Sequence, residues 1–277
     1  MPISKRLLIA LWTCLVFVTG LATAAAEGLE FRVDTEIFMN EEKKPILQQL
    51  TIFAADGTVY DFSLTAPPEV TVFDPRRGRF TLLDETRKAK AIVTTQELLD
   101  FTLELEKHAV KEKNTPFAFA AAPHFETTVS EIERQGQPMT ELRLSAKPLS
   151  YTALGLKPAD PDAVKMYRHF TDWCARLNST RGGNLPAAAR LELNREFAER
   201  GLLPFEIVRT TPSPKPLGKK QDLKSEHRVN WALCGEDQKK ITHAGDMMAT
   251  FELEGFKAYC AADNKPAPPA ASKQASR

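Results

Sequence analysis

Val70-Thr71-Val72-Phe73-Asp74-Pro75-Arg76-Arg77-Gly78-Arg79-Phe80-Thr81-Leu82-Leu83-Asp84 is the stretch on which the fold turns: two short runs separated by a turn. Pro75 suits the first turn position and Gly78 the left-handed position that closes it. With so short a connection and no helix between them, the flanking runs must be antiparallel neighbours. Working outward, Ala55-Asp56-Gly57-Thr58 is a second hairpin turn. Phe31, Val33, Ile37 and Met39 alternate with Arg32, Asp34 and Glu36, and Tyr60, Phe62 and Leu64 with Asp61 and Ser63. Period-two alternation puts one side of each strand in a dry layer and the other in a wet one. Residues 29–94 therefore read as a meander, ending in a strand around Ala91-Ile92-Val93.

The rest of the chain adds helices and more strands. Thr94 and Glu97 form a capping box for a helix whose inward stripe is Leu98, Phe101, Leu105 and Ala109. Alternation returns in 126–134 and 139–145 across Gly136-Gln137-Pro138. Asp160-Pro161 opens a helix carrying Val164, Tyr167, Thr171, Cys174 and Leu177, stopped by Gly182-Gly183. A second helix spans about 186–200, with Gly201 as its end signal. Phe205–Thr211 reads as a strand, and Val229, Trp231 and Leu233 as the buried side of another, with a Pro- and Lys-bearing solvated loop between them. A last helix begins near Glu236, turns Ile241, Ala244, Met248 and Phe251 inward, and breaks near Gly255. No internal repeat is present. The fold class expected is α+β: a curved, half-barrel-like antiparallel meander with helices packed on one face.

The first 26 residues are excluded from that fold. Lys5 and Arg6 precede an apolar run from Leu7 to Thr19, Gly20 loosens the helix, and Ala24-Ala25-Ala26 ends in a small-x-small site at Ala24 and Ala26. That order is expected of a cleavable export signal, which gives a periplasmic or extracellular location. The competing reading is an uncleaved anchor, because a bilayer needs only about 20 apolar residues; membrane contact would then run through this segment alone. A lipid-modified Cys14 is disfavoured by Trp12 and by the apolar run continuing past it. Residues 27–262 are expected as one domain, and 263–277, with Pro266, Pro268 and Pro269, as a disordered tail.

Charge narrows the function classes. The chain has 37 basic and 36 acidic residues, and without Lys5 and Arg6 the balance is 35 to 36. So even a balance sets up no long-range field toward nucleic acid or an anionic membrane, and a nucleic-acid partner is not expected. Three cysteines follow the signal, Cys174, Cys234 and Cys260. In an oxidising compartment an odd count leaves one thiol over. Cys174 lies on an apolar helical stripe as a small hydrophobe, so Cys234 with Cys260 is the disulfide expected.

No local catalytic or metal pattern is present. His169 and Cys174 are five residues apart, about 500° of helical rotation, and point apart. His108, His124, His227 and His243 lack the four-residue spacing of zinc hydrolases. Asp160 and Asp162 are accounted for by helix capping, and Glu104 with Lys107 by a solvated helix face. Asn178-Ser179-Thr180 is formally a glycosylation sequon at a helix end. No metal and no cofactor is expected.

The strand rhythm of Val70–Pro75 and Arg79–Asp84, with Asp-Pro-x-x-Gly turn chemistry and a helix laid against it, resembles the periplasmic lipoprotein-carrier superfamily over roughly residues 29 to 110. The resemblance implies an incomplete barrel around an apolar cavity that holds acyl chains. The family's opening helix is missing, and no family binding residue matches a numbered position. Three readings of function follow. A non-catalytic binding protein would hold a lipid or other apolar ligand among Phe31, Val33, Tyr60, Phe62, Leu98 and Phe101. Against that, the same six residues could simply pack as core. A structural or interaction module of the cell envelope would engage an envelope protein, and an enzyme would need a site assembled only in three dimensions.

Overall fold

Phe31, Phe53, Val59, Phe73, Phe80 and Val93 lie side by side across six consecutive antiparallel strands, each paired directly with the next. All six are buried. The computed structural model describes residues 28–263 except 110, 113–114, 135 and 214–219. The expected export segment with its Ala24–Ala26 site, and residues 264–277 of the expected tail, lie outside the described residues.

The strands are β1 (Phe31–Met39), β2 (Leu47–Phe53), β3 (Val59–Ser63), β4 (Glu69–Asp74), β5 (Arg79–Asp84), β6 (Ala89–Thr94), β7 (Glu126–Arg134), β8 (Gln137–Ser145), β9 (Ser150–Leu156), β10 (Leu203–Thr211), β11 (Gln221–Asn230) and β12 (Glu252–Glu254). The helices are α1 (Thr95–Ala109), α2 (Pro116–Ala121), α3 (Asp162–Ser179), α4 (Ala188–Glu199), α5 (Gly235–Thr250) and α6 (Phe256–Asp263). The fold class is α+β, with one open, curled sheet in the order β12-β6-β5-β4-β3-β2-β1-β11-β10-β9-β8-β7. Every pairing is antiparallel except β12 with β6. Two meanders, β1–β6 and β7–β11, meet where β1 pairs with β11, Thr35 opposite His227.

The turns follow the sequence. Gly57 and Gly78 adopt φ of 87° and 56°, the region only glycine enters without strain. Thr94 Oγ1 accepts from the Glu97 N–H at 3.1 Å and Glu97 Oε2 from the Thr94 N–H at 2.8 Å, the reciprocal box that opens α1.

Helices cover both faces of the sheet. α3 packs Ala163, Val164, Phe170 and Leu177 onto the phenylalanine row, joined by Leu98 of α1 and Tyr259 of α6. α4 packs Ala189, Leu193 and Phe197 against Leu142, Tyr151, Ala153 and Ile207. α5 adds a layer on the opposite face, setting Ala244 and Met247 on Leu50, Ile52, Phe62, Val70, Val72 and Leu83.

Three sequence expectations change here. Trp231 is not on a buried strand side: β11 ends at Asn230 and Trp231 is 45 % exposed. Phe101 is 40 % exposed because α1 buries Leu98, Thr102 and Ala109, a stripe that Phe101 flanks by about 60°. Cys234 is a free, exposed thiol at the N-cap of α5, so the expected bond to Cys260 is not formed. There Arg32 donates to Asp237 at 2.8 Å, while Asp237 also accepts from the Cys234 N–H.

Gly155 marks a close approach of α4 to the sheet. A Cβ at that position would stand 2.8 Å from the Phe197 ring and 3.1 Å from Leu202 Cβ. Gly155→Ala is expected to destabilise the protein by about 1–3 kcal/mol, the usual range for overpacking a core. Urea denaturation checks this as a lower midpoint at unchanged slope.

Candidate functional site

The inner face changes chemistry along the strands. One residue pair from the phenylalanine row, β1–β4 carry Val33, Thr51, Asp61 and Thr71 in register; one pair further, Thr35, Gln49 and Ser63 follow. The wet side expected from Asp61 and Ser63 is therefore not surface but the part of the concave face that α3 and α4 roof over. Between sheet and roof lies a cavity of about 740 Å³, lined among others by Asp61, Tyr167, Cys174, Arg190, Arg209 and His227. That volume lies within the range of small-molecule pockets.

Asp61 and His227 are each held by identifiable partners. Asp61 accepts from Thr51 Oγ1 at 2.7 Å and Gln49 Nε2 at 3.3 Å. Burial pushes its carboxyl up to about 6, reinforced by Glu69 and opposed by the Thr51 bond and the Arg181 charge. His227 has Thr35 Oγ1 at 3.1 Å from Nδ1 and Ser225 Oγ at 2.9 Å from Nε2. Burial first, then the Arg190 charge, lowers its pKa to about 3, so the ring is neutral at ordinary pH. Burial also raises Tyr167 to about 12 and Cys174 well above the usual thiol range, with the Asp61 charge acting in the same direction on both.

Arg190 is held through one nitrogen only. Its Nε donates to Asn194 Oδ1 at 2.9 Å, and Asn194 in turn donates to Asp172 at 2.8 Å. The chain of bonds fixes the guanidinium plane through one nitrogen. Among the described residues the other two nitrogens have no hydrogen-bond or ion-pair partner, although guanidinium carries five donors. Arg209 lines the same cavity and also forms no ion pair among the described residues. By contrast Arg181 is paired with Glu69 at the rim. Asp61, Glu69 and Asp84 line the cavity with Arg181, Arg190 and Arg209, so the formal charge of the whole lining cancels. What can attract an anion is local, the two guanidiniums of Arg190 and Arg209 beside a neutral imidazole, a protonated thiol and a protonated phenol.

As a catalytic centre the set is poorly poised. Ser225 touches an imidazole, but Thr35 rather than a carboxylate occupies the other ring nitrogen, and a group of pKa near 3 is a weak general base at neutral pH. The Cys174 thiol is held in its unreactive form. Among the described residues there is no group of His, Cys, Asp and Glu able to hold a metal, and no helix long and apolar enough to cross a membrane.

The six apolar residues expected to form a ligand face do not share one. Phe31, Val33 and Leu98 belong to the layer under α3, Tyr60 and Phe62 to the layer under α5, and Phe101 to the surface. Register is the reason: Phe53 pairs with Val59, so Tyr60 falls opposite Ile52 and Phe62 opposite Leu50, one face over from Phe31. Val33 alone of the six lines the cavity. His169 is exposed and rests edge-on against Phe73 at 5.5 Å. Arg190, Arg209 and His227 were not singled out as site residues by sequence. Arg209 and His227 lie on the paired strands β10 and β11 and Arg190 on the preceding helix, but bringing them to Thr35 and Asp61 depends on the long-range pairing of β1 with β11.

No protein-family model and no curated protein sequence matches the chain. Among solved structures, PNGF-II in a P21 crystal form superposes with a TM-score of 0.37 at 10 % identity over 84 % of this chain. The C2 form gives the same score and identity over 85 %. Neither likeness bears on the site. This chain spans about a third of PNGF-II, 32 % of its length. A LolA superfamily protein, NE2245 from Nitrosomonas europaea, superposes with a TM-score of 0.23 at 3 % identity over 76 % of this chain and 89 % of its own. That is the superfamily whose strand rhythm the sequence resembles, and the likeness in three dimensions is weak.

Proposed function

We propose that this chain is an exported binding protein that holds an amphipathic anion between the concave sheet face and the α3–α4 roof. A carboxylate or phosphate head lies against Arg190 and Arg209, and a hydrocarbon body lies along Val33, Phe170 and Ile207, which line the same cavity. The observation that carries this reading is the Arg190 guanidinium, oriented by Asn194 and unpaired by any carboxylate among the described residues. The guanidinium is half-buried, and an anionic ligand would give it the charge-assisted partner it lacks. Support for export is the order Lys5-Arg6, apolar run, Ala24 and Ala26. The ligand class differs from a purely apolar one because the lining is mixed and the six-residue apolar face is divided between layers.

Isothermal titration with decanoate and with decyl phosphate tests the reading, with decan-1-ol as the uncharged control. Both anions are expected to bind and the alcohol to bind more weakly. Arg190→Met is expected to weaken the anions by about 10- to 100-fold, as loss of a charge-assisted hydrogen bond does. Equal affinity for anion and alcohol, or an Arg190→Met variant that binds as well as the parent, contradicts it.

A further inference from the structure

A second concavity, of about 810 Å³, opens where the sheet divides. β11 pairs with β10 only as far as Glu226 opposite Glu206, and its His227–Asn230 end continues on β1 alone. β10 follows β9 instead, with an irregularity between Pro204 and Glu206. The cleft between the parted strands is separate from the Arg190 head-group site, although His227, Thr35 and Gln49 border both cavities.

Six of the eight charged side chains that line it already have bonded partners. Asp34 accepts from Asn230 at 2.6 Å and lies 3.6 Å from Arg32. Glu206 holds Arg134 through two parallel bonds of 3.0 and 3.1 Å. Glu36 accepts from Gln48 at 2.8 Å, and Glu226 from Lys224 at 2.6 Å. Four basic and four acidic side chains line the cleft, so its formal charge cancels. Over this floor stands Trp231, 45 % exposed, with Phe31 behind it at 5.6 Å between ring centres. Phe205 continues the aromatic wall, with the Arg134 guanidinium 5.8 Å over its ring.

The chemistry of the occupant follows from those two surfaces. A net ion gains little where charges cancel, and a purely apolar molecule would strip water from the ion pairs at a cost. A neutral molecule with many hydroxyls and a flat C–H face suits both: the hydroxyls bond to fixed carboxylate, guanidinium and amide edges, and the flat face covers the indole. We propose that the cleft binds a neutral oligosaccharide with one sugar ring stacked on Trp231. The proposal does not rest on the anion cavity.

Titration calorimetry of the full chain with cellohexaose, chitohexaose, mannohexaose and maltohexaose tests it. At least one is expected to bind with a Kd below about 1 mM, with Trp231→Ala weakening it about tenfold or more, Trp231→Phe retaining affinity within roughly threefold, and Arg190→Met leaving it unchanged. Because Trp231 is exposed, the alanine variant is expected to fold, and the phenylalanine variant controls for loss of the ring as such. No binding by any of the four, or binding that Trp231→Ala leaves intact, overturns the proposal.

Discussion

Phe53→Ala is expected to cost about 3–5 kcal/mol of folding stability, the range for truncating a fully buried aromatic side chain. Phe53 is 0 % exposed and stacks on Phe31 at 4.3 Å with only 9° between the rings. It also meets Phe170 of α3 edge-on at 5.7 Å and Tyr167 at 6.0 Å. One side chain therefore joins the β1–β2 pair to the helix that roofs the cavity, and removing it leaves a void that neither sheet nor helix can close without moving. Phe101→Ala, by contrast, is expected to fall within about 0.5 kcal/mol of the parent, since that ring is largely outside the stripe α1 buries. Urea denaturation of both variants checks the contrast. Similar losses from the two would contradict the register that places Phe53 inside and Phe101 outside.

The second large effect is in the pH dependence, where two buried groups of the cavity oppose each other. Asp61 has a folded pKa near 6 against an ordinary value of 3.8. As pH rises from about 4 to 6 the unfolded chain loses its proton first, so this group contributes a fall in stability that levels off above 6, at most about 3 kcal/mol in all. His227 has a folded pKa near 3 against 6.5. As pH falls from 6.5 toward 3 the unfolded chain gains a proton that the folded state refuses, and stability falls in that direction. The groups facing Asp61 are Thr51, Gln49, Glu69, Arg181, Tyr167 and Cys174; those facing His227 are Thr35, Ser225 and Arg190. Between pH 4 and 6 the two trends partly cancel in the parent. Asp61→Asn is expected to stabilise the protein at pH 7 and to leave a stability that declines steadily on acidification. His227→Gln is expected to leave the reverse slope. Melting temperatures of the three proteins from pH 4 to 7 check this, and parallel curves would contradict the burial of both groups.

The strand order of β1–β6 was legible because its turns are short and chemically marked, Gly57 and Gly78 above all, and the capping box of Thr94 and Glu97 fixed the start of α1. The hairpin at 54–58 also held the clue to the divided apolar face: pairing Phe53 with Val59 forces Tyr60 and Phe62 to the opposite side from Phe31. Alternation within one strand shows that two faces differ, but not which of them is shared with the next strand. The dry sides of β1 and β3 are opposite faces, and a sheet covered by helices on both sides permits that. What alternation could not supply was the junction of β1 with β11, a pairing across nearly the whole domain that brings Thr35 to His227. Nor could it show α3 and α4 closing over the polar end of the inner face. Arg190 reads in sequence as one more charge on a helix; only the packing of α4 on the sheet turns it toward the cavity.

The most direct measurement is a crystal structure of the protein grown with decyl phosphate. The cavity reading predicts phosphate oxygens at about 3 Å from the Arg190 guanidinium, in hydrogen-bond range, with the alkyl chain running along Val33, Phe170 and Ile207. Tyr167 and Phe170 packed down onto Asp61 and Thr51 with no room for a ligand, or decyl phosphate bound away from Arg190, would contradict it.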